Sequence, residues 1–230
     1  MRGGPDAYED SLKTGSYVLS LLNAMPEEYE TTDVFVSKSG DWHRTGLVDE
    51  AHAILGRADV VWNALHGEYG ESGEVQKLFE GMKIPYTGSD VVGSAFAHNK
   101  EMAKKLYRLH GLPTPTSSVL HRDSFTDDDL IAIFRTHLAP VIVKPATGVR
   151  GVGIALAHSY QELKEALKRC FAHAPKVIVE EYVTGTVVTT TVLEKAKGED
   201  LYAFLPTHLE THYRRTRPRP EENREVERLA

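Results

Sequence analysis

Residues 60–89 read VVWNALHGEYGESGEVQKLFEGMKIPYTGS, and this stretch decides the fold class. Residues 60–66 are typical of a buried strand that runs into a glycine-rich loop. Apolar residues then recur at the spacing of one helix face: Val75, Leu78, Phe79 and Met82. Ile84-Pro-Tyr86 is a short extended piece. Strand, loop, helix and strand in this order predict a βαβ unit with a parallel sheet.

The sequence after residue 90 predicts a different arrangement. Residues 140–145 (PVIVKP) and 177–179 (VIV) are strand candidates. Between them, Ser159-Tyr-Gln-Glu162 matches a capping box, and an apolar stripe from Leu163 to Phe171 predicts a helix. Residues 140–205 alternate strand, loop, strand, helix and three further strands, which is an α+β pattern. We therefore expect an N-terminal α/β domain over residues 1–90 and an α+β domain over residues 91–209. Residues 210–230 interleave arginine with glutamate, which predicts a solvated, partly helical tail.

Composition and charge exclude several classes of function. The chain has 230 residues, 41% of them hydrophobic, and a formal net charge of -6, so it lacks the basic footprint of a nucleic-acid-binding protein. The single cysteine, Cys170, excludes an internal disulfide and a cysteine-rich zinc site. The sequence contains neither an apolar run of about 18 residues nor an N-terminal signal peptide. We therefore expect a cytoplasmic protein without a membrane partner.

Three glycine-containing segments are candidate binding sites. His66-Gly-Glu-Tyr-Gly-Glu-Ser-Gly73 follows a predicted strand at its carboxyl end, where open α/β sheets bind ligands; the alternative is an ordinary connecting loop. Ala146-Thr-Gly-Val-Arg-Gly-Val-Gly153 lies between two strands, and its N–H groups are suited to closing over phosphates, although it lacks the P-loop spacing. Gly3-Gly4 is either a flexible terminus or a place where backbone N–H groups approach an anion.

Two lysines and one glutamate are further candidates. Lys144 ends an apolar strand, so its ammonium needs an anion, which is either a nucleotide phosphate or the carboxylate of Glu180. Lys100 opens a helix, which is the unfavourable end for a cation and therefore favours a functional role. Glu180 and Glu181 are adjacent on a strand and point to opposite faces, so one of them faces a site or both form a surface strand end.

Together these motifs resemble the D-alanine–D-alanine ligase family of ATP-grasp enzymes. Residues 63–76 are similar to that family's LHG…GEDG…Q stretch, and Ile84-Pro-Tyr-Thr-Gly-Ser89 matches its IPYTGS. Lys100 with Gly111-Leu-Pro-Thr-Pro115 resembles its DK…GIPTP helix. Val143-Lys-Pro145 and Val179-Glu-Glu-Tyr-Val183 look like its ATP-grasp strands. The resemblance covers residues 3–205, and the order of the motifs makes chance improbable.

The resemblance implies an ATP-dependent ligase that joins two D-alanines through an acyl phosphate, with ATP and magnesium as cofactors. It also suggests a homodimer. By position, three residues would serve catalysis: His66 and Glu71 near the first D-alanine, and Arg150 near a phosphate. Seven would bind ATP: Lys100 and Lys144 on the phosphates, Gly148 and Gly151 in the loop that covers them, and Glu180, Tyr182 and Val183 on adenine.

The sequence departs from the family pattern at several places. The family's first strand is expected just before Gly3, so we expect it to be absent. Val149-Arg-Gly151 stands where the family usually has Gly-Ser-Ser, and Ser72 replaces its usual aspartate. Val187 stands where the family has a ribose-binding glutamate, and valine cannot accept a hydrogen bond from a hydroxyl.

The family's magnesium ligands, an aspartate followed by a Glu-x-Asn, have no match in the sequence. Glu194, Glu199 and Asp200 come too early and in the wrong context to replace them. We therefore expect an incomplete ATP-grasp unit, truncated at both ends and impaired in activity, without metal-binding residues. The alternatives are an inactive remnant that binds nucleotide or a protein partner, and an ATP-grasp ligase with a different acceptor.

Overall fold

The computed structural model describes residues 1–149 and 151–208, which form helices and strands in two groups. The first group contains β1 (Arg2–Gly3), α1 (Tyr8–Asn23), β2 (Val34–Val36), β3 (Trp42–Arg44), β4 (Leu47–Val48), α2 (Ala51–Leu55), α3 (Glu68–Glu71), α4 (Glu74–Gly81) and α5 (Val91–His98). The second contains α6 (Lys100–Leu109), β5 (Ser117–His121), α7 (Asp127–Thr136), β6 (Val141–Pro145), β7 (Ala155–Ala157), α8 (Tyr160–Phe171), β8 (Lys176–Glu181), β9 (Val188–Thr189), β10 (Val192–Ala196), β11 (Glu199–Ala203) and β12 (Thr207–His208).

The first group is built on a mixed sheet with the order β1-β2-β3-β4. β1 runs parallel to β2, whereas β2, β3 and β4 form an antiparallel meander. The predicted strand over residues 60–66 is reduced to one parallel bridge between Val61 and Tyr86. The α/β class is thus confirmed, but the sheet is only partly parallel.

The predicted apolar face of α4 packs into the first core. Val75 and Phe79 are fully buried, and Leu78 and Met82 pack against the same cluster from partly buried positions. On the sheet side, Val36 closes this core. The spacing of the four apolar residues therefore identified the correct helix face.

The sequence predicted that Gly3-Gly4 is either a flexible terminus or an anion site, and both predictions are wrong. Both glycines are buried, and Gly4 N donates to Val36 O at 2.8 Å while Gly3 N donates to Ser11 Oγ at 2.8 Å. Gly3 has a φ of +98°, and a Cβ there would lie 2.2 Å from Val36 O. The pair allows a close approach to β2, and these N–H groups are occupied. The strand that we expected to be absent just before Gly3 is present in short form, because Arg2–Gly3 is β1 and pairs with β2.

The second group is built on an antiparallel sheet with the order β5-β8-β6-β7, as the α+β pattern predicted. One face of this sheet packs against α7 and α8 in a second core. Its fully buried members include Val141, Val143, Leu163, Cys170, Val177 and Val179. Ser159 caps α8 as predicted, because its side chain accepts from Glu162 N at 3.2 Å. α7 is capped by Thr126, which forms a capping box with Asp129.

Two short antiparallel pairs follow the second sheet. β10 pairs with β11 and β9 with β12, and their side chains are mostly exposed. The two separate cores support a division near residue 90, which stays a prediction. The tail at 210–230 lies outside the described residues. Within residues 1–149 and 151–208, no helix is both long and apolar enough to cross a membrane.

Replacing Leu163 by alanine should destabilise the second core. Leu163 is fully buried on α8, so its truncation should lower the free energy of unfolding by about 2–5 kcal/mol. Urea unfolding followed by circular dichroism measures this loss. Lys168→Ala on the exposed face of the same helix is the control, with an expected change within about 0.5 kcal/mol. Equal unfolding midpoints for the two variants would contradict the assignment of this core.

His137 should make the second core sensitive to acid. It is 2% exposed, its Nε2 lies 2.9 Å from Ser118 Oγ, and burial lowers its pKa below the usual 6.5. The unfolded chain then binds the proton more readily, so the free energy of unfolding falls as the pH drops below about 6.5. Urea unfolding at about pH 7.5 and pH 5.5 should show a smaller loss for His137→Gln than for the unsubstituted chain. His110→Gln, at an exposed position, should keep the full loss.

Candidate functional site

A cleft of about 400 Å³ lies between the first candidate loop and the glycine loop, residues 146–153. His66, Gly67 and Glu71 line it on one side. Gly148 and Gly151 line it on the other, together with Lys100 from the start of α6. The structure thus brings together five residues that the sequence placed in one site: His66, Glu71, Lys100, Gly148 and Gly151.

His66 is held between two partners at the edge of this cleft. Its Nδ1 lies 3.1 Å from Glu71 Oε1, and its Nε2 lies 2.9 Å from Thr14 Oγ1 on α1. The hydrogen bond to Glu71 raises the pKa of His66, and this effect outweighs the opposing effect of burial. The charged imidazolium, which suits an anionic substrate, is therefore favoured at a site facing the cleft.

Gly67 adopts the backbone conformation that leads into α3, the helix on which Glu71 reaches the cleft. Its φ is +93°, and a Cβ there would lie 2.4 Å from Asp6 Cβ. The chain then turns directly into α3, and Tyr69 N donates to Asp6 Oδ2 at 3.3 Å. A glycine is required here by both the conformation and the close approach.

Lys100 joins α6 to the glycine loop. Asn99 caps the helix by accepting from Glu101 N and Met102 N, and Lys100 N donates to Ala146 O at 2.8 Å. The Lys100 ammonium donates to Gly148 O at 2.8 Å. Burial lowers the pKa of Lys100, and the nearby Lys144 lowers it further. A cation held in this way gains from an anionic ligand.

The glycine loop takes a conformation that depends on its glycines. Gly148 has a φ of +109°, and a Cβ there would meet no atom of the described residues within 4 Å, so the backbone conformation is what requires glycine. Ile154 N donates to Gly151 O at 3.0 Å and closes the end of the loop. Arg150 lies outside the described residues, so its predicted role at a phosphate stays a prediction.

A second cluster, outside the lining of the cleft, consists of three charged residues: Lys104, Lys144 and Glu180. The register of β6 and β8 places Ile142 opposite Glu180 and Lys144 opposite Ile178. Lys144 and Glu180 are therefore diagonal neighbours on one sheet face, opposite the face that packs against α7 and α8. Lys144 donates to Glu180 Oε1, which is the salt bridge that the sequence left open as an alternative.

Lys104 is the member of this cluster that sequence reasoning missed. Its ammonium lies 2.8 Å from Glu180 Oε2, and both side chains are 8% exposed. The contact is an ion pair outside hydrogen-bonding angles, because the buried Oε2 accepts no hydrogen bond from the described residues. The available signal was its position four residues after Lys100, which places both lysines on one face of α6.

Tyr182 and Val183 follow β8 directly and lie at its exposed end. Tyr182 N donates to Pro140 O at 3.3 Å, and both side chains are exposed. Neither residue lines the cleft. Glu181 points away from Glu180 and accepts from Thr116 N at 2.9 Å, as strand alternation predicted.

The part of the chain that the structure describes contains no group of three or more His, Cys, Asp or Glu side chains that could hold a metal ion. Glu194 and Glu199 lie on the exposed β10–β11 pair, with Glu194 opposite Leu201. The described residues therefore do not fit the magnesium that the resemblance implies.

Comparisons with known proteins identify the class of fold and then the family. The D-alanine–D-alanine ligase from Coxiella burnetii superposes with a TM-score of 0.79 at 21% identity, covering 91% of this chain and 69% of its own. The VanG D-Ala:D-Ser ligase from Enterococcus faecalis gives a TM-score of 0.76 at 27% identity, covering 90% of this chain and 67% of its own. The fold is that of the ATP-grasp ligases.

Sequence comparison gives the family. The family model for the D-ala D-ala ligase N-terminus matches residues 47–89, and that for the D-ala D-ala ligase C-terminus matches residues 106–209. The D-alanine–D-alanine ligase of Corynebacterium urealyticum is 35% identical over 199 residues, which is 85% of this chain and 50% of the relative. The chain belongs to the D-alanine–D-alanine ligase family, as the resemblance predicted, and spans about half the length of that relative.

The pKa of His66 should depend on Glu71. Because the carboxylate stabilises the imidazolium, Glu71→Gln should lower the pKa of His66 from its raised value. An NMR titration of the imidazole protons measures the midpoint directly. Glu74→Gln, at an exposed position on α4, should leave the midpoint unchanged. An equal midpoint in the Glu71→Gln variant would show that Glu71 does not hold the imidazolium.

Proposed function

We propose that this chain binds ATP and D-alanine in an ATP-dependent ligase that joins two D-alanines through an acyl phosphate, for peptidoglycan precursor synthesis. One observation carries the proposal: Lys100 and the glycine loop face the His66–Glu71 pair across one cleft. Membership of the D-alanine–D-alanine ligase family supports the choice of substrate. We expect a cytoplasmic homodimer with a small-molecule substrate.

The phosphate end of the nucleotide would lie between Lys100, Lys144 and the glycine loop. The Lys100 ammonium donates to Gly148 O, and burial, with the neighbouring Lys144, lowers the pKa of Lys100. Phosphoryl transfer needs positioning and charge compensation more than covalent chemistry. The two ammonium groups and the N–H groups of Gly148 and Gly151 would supply part of that compensation.

The adenine end would lie at the carboxyl end of β8. Glu180 is buried, and its Oε2 accepts no hydrogen bond from the described residues, so it retains acceptor capacity for an exocyclic amine. Tyr182 N is occupied by Pro140 O, so we assign the backbone donor to Val183. The Tyr182 side chain is 38% exposed and would gain from packing against the base.

D-alanine would lie on the other side of the cleft, beside His66 and Glu71. A carboxylate oxygen of the first D-alanine attacks the γ-phosphorus, the bond from that phosphorus to the bridging oxygen breaks, and ADP leaves. The amine of the second D-alanine then attacks the acyl carbon, loses a proton, and phosphate departs. The raised pKa of His66 favours an imidazolium, whose positive charge would attract the first carboxylate.

Residues 1–149 and 151–208 contain no cluster of side chains that could hold the magnesium that the family uses. The same observation favours a second candidate function, which is nucleotide binding without turnover. A site with fewer charge-compensating groups than the transition state needs would bind ATP and fail to transfer the phosphoryl group.

Lys144→Ala should weaken ATP binding and abolish D-alanine-dependent phosphate release. Loss of a charge-assisted contact should raise the Kd for ATP roughly tenfold or more. Isothermal titration calorimetry measures binding, and a phosphate assay with ATP, magnesium and D-alanine measures turnover. Lys168→Ala, exposed on α8, is the matched control and should leave both unchanged.

The outcomes separate the candidates. ATP binding without D-alanine-dependent release would favour the second candidate, in which the nucleotide is bound but not used. Release with D-serine or a hydroxy acid in place of D-alanine would indicate a ligase with another acceptor. A chain that binds no ATP would contradict both candidates.

A further inference from the structure

We propose that Lys104 is a positioning residue that fixes the carboxylate of Glu180 and thereby determines the preference of the site for adenine. The inference rests on the nucleotide-binding role proposed above. The family motifs matched in the sequence give no role to Lys104. The role of Lys104 in the site follows from the contacts of its ammonium group.

Three contacts hold the Lys104 ammonium in one place. It donates to Thr114 Oγ1 at 3.0 Å and to Pro115 O at 2.9 Å, and it lies 2.8 Å from Glu180 Oε2. Thr114 and Pro115 belong to the connection between α6 and β5, so helix, connection and sheet meet at this group. An ammonium has three donors, and two of them are used on fixed protein atoms. The contact with Glu180 is an ion pair.

Glu180 has two cationic partners, Lys144 and Lys104, and of these Lys104 also donates hydrogen bonds to the α6–β5 connection. Lys144 donates to Oε1, but its side chain is 20% exposed, and the proposed function assigns it to a phosphate. Lys104 is 8% exposed and is tied to the α6–β5 connection. When Lys144 turns to a nucleotide phosphate, Lys104 remains as the counter-charge of Glu180. A buried carboxylate without such a partner is strongly disfavoured, so Lys104 keeps Glu180 in place with the nucleotide bound.

A carboxylate that is charged and held in place favours a hydrogen-bond donor at the edge of the base. A carboxylate only accepts hydrogen bonds, so it pairs with the 6-amino group of adenine. Hypoxanthine carries a 6-oxo group, which is also an acceptor and would face the carboxylate without a proton between them. A site built to accept from an N–H group discriminates strongly against the analogue that lacks it. The ratio of ITP to ATP dissociation constants therefore reports how well Glu180 is positioned.

The matched control is the next residue on the same helix. Lys105 is 61% exposed and pairs with Glu101 at 2.6 Å, an i,i+4 pair at the surface. Lys105→Met removes the same charge from the same helix without touching Glu180. Any general effect of net charge or helix propensity on nucleotide binding should therefore appear in both variants.

The experiment measures the affinity of the full chain for ATP and for ITP by calorimetry. The unsubstituted chain and Lys105→Met should bind ATP roughly tenfold or more tightly than ITP. In Lys104→Met the Kd for ATP should rise roughly tenfold to a hundredfold while that for ITP changes much less, so the preference collapses. Equal weakening of both nucleotides would mean a merely structural role and would overturn the inference.

A second pair of variants covers the case in which Lys104→Met fails to fold. Glu180→Gln and the double variant Lys104→Met/Glu180→Gln leave no buried carboxylate without a partner. If Lys104 acts through Glu180, both should bind ATP and ITP with the same reduced preference. A further loss of preference in the double variant would overturn the inference.

The unsubstituted chain separates this inference from the proposed function. Binding of ATP and ITP with equal affinity would overturn the role of Lys104 and leave ATP binding intact. Binding of neither nucleotide would overturn the proposed function and this inference together.

Discussion

The antiparallel register of β6 and β8 is the constraint on which the rest of the site depends. Because Ile142 lies opposite Glu180, alternate residues of both strands divide into two sets. Val141 and Val143 on β6 enter the core with α8, together with Val177 and Val179 on β8. Lys144 and Glu180 come to the other face, within reach of α6. A slip of one residue in either strand would bury a charge in the apolar core and expose a valine.

The two halves of the chain contribute unlike parts to the cleft. The first supplies His66 on a backbone that is rigid because Gly67 packs against Asp6. The second supplies the glycine loop, which is held by hydrogen bonds from the Lys100 ammonium to Gly148 O, from Lys100 N to Ala146 O, and from Ile154 N to Gly151 O. One wall is therefore fixed by packing and the other by hydrogen bonds, one of which comes from the Lys100 ammonium. Binding of an anion at Lys100 would therefore act first on the loop wall.

The sequence correctly predicted those structural features that depend on residues close to one another in the chain. The apolar spacing of α4, the Ser159 cap and the exposed position of Glu181 beside the buried Glu180 follow from residues close in sequence. The strand over residues 60–66 was predicted too long, since hydrophobicity alone cannot show that this segment forms a single β-bridge, at Val61, within the described residues. Lys104 was missed because its partner Glu180 is distant in sequence, and only the folded sheet brings the two together.

The position of Cys170 gives the second core an internal reporter. It is the single cysteine of the chain and is fully buried on α8, and burial raises its pKa to about 12. Only the thiolate reacts readily with alkylating reagents, so the closed form is protected twice, by access and by protonation. The rate of alkylation therefore measures how often α8 opens from β6 and β8. A ligand that bridges α6 and these strands would slow that rate without touching the cysteine.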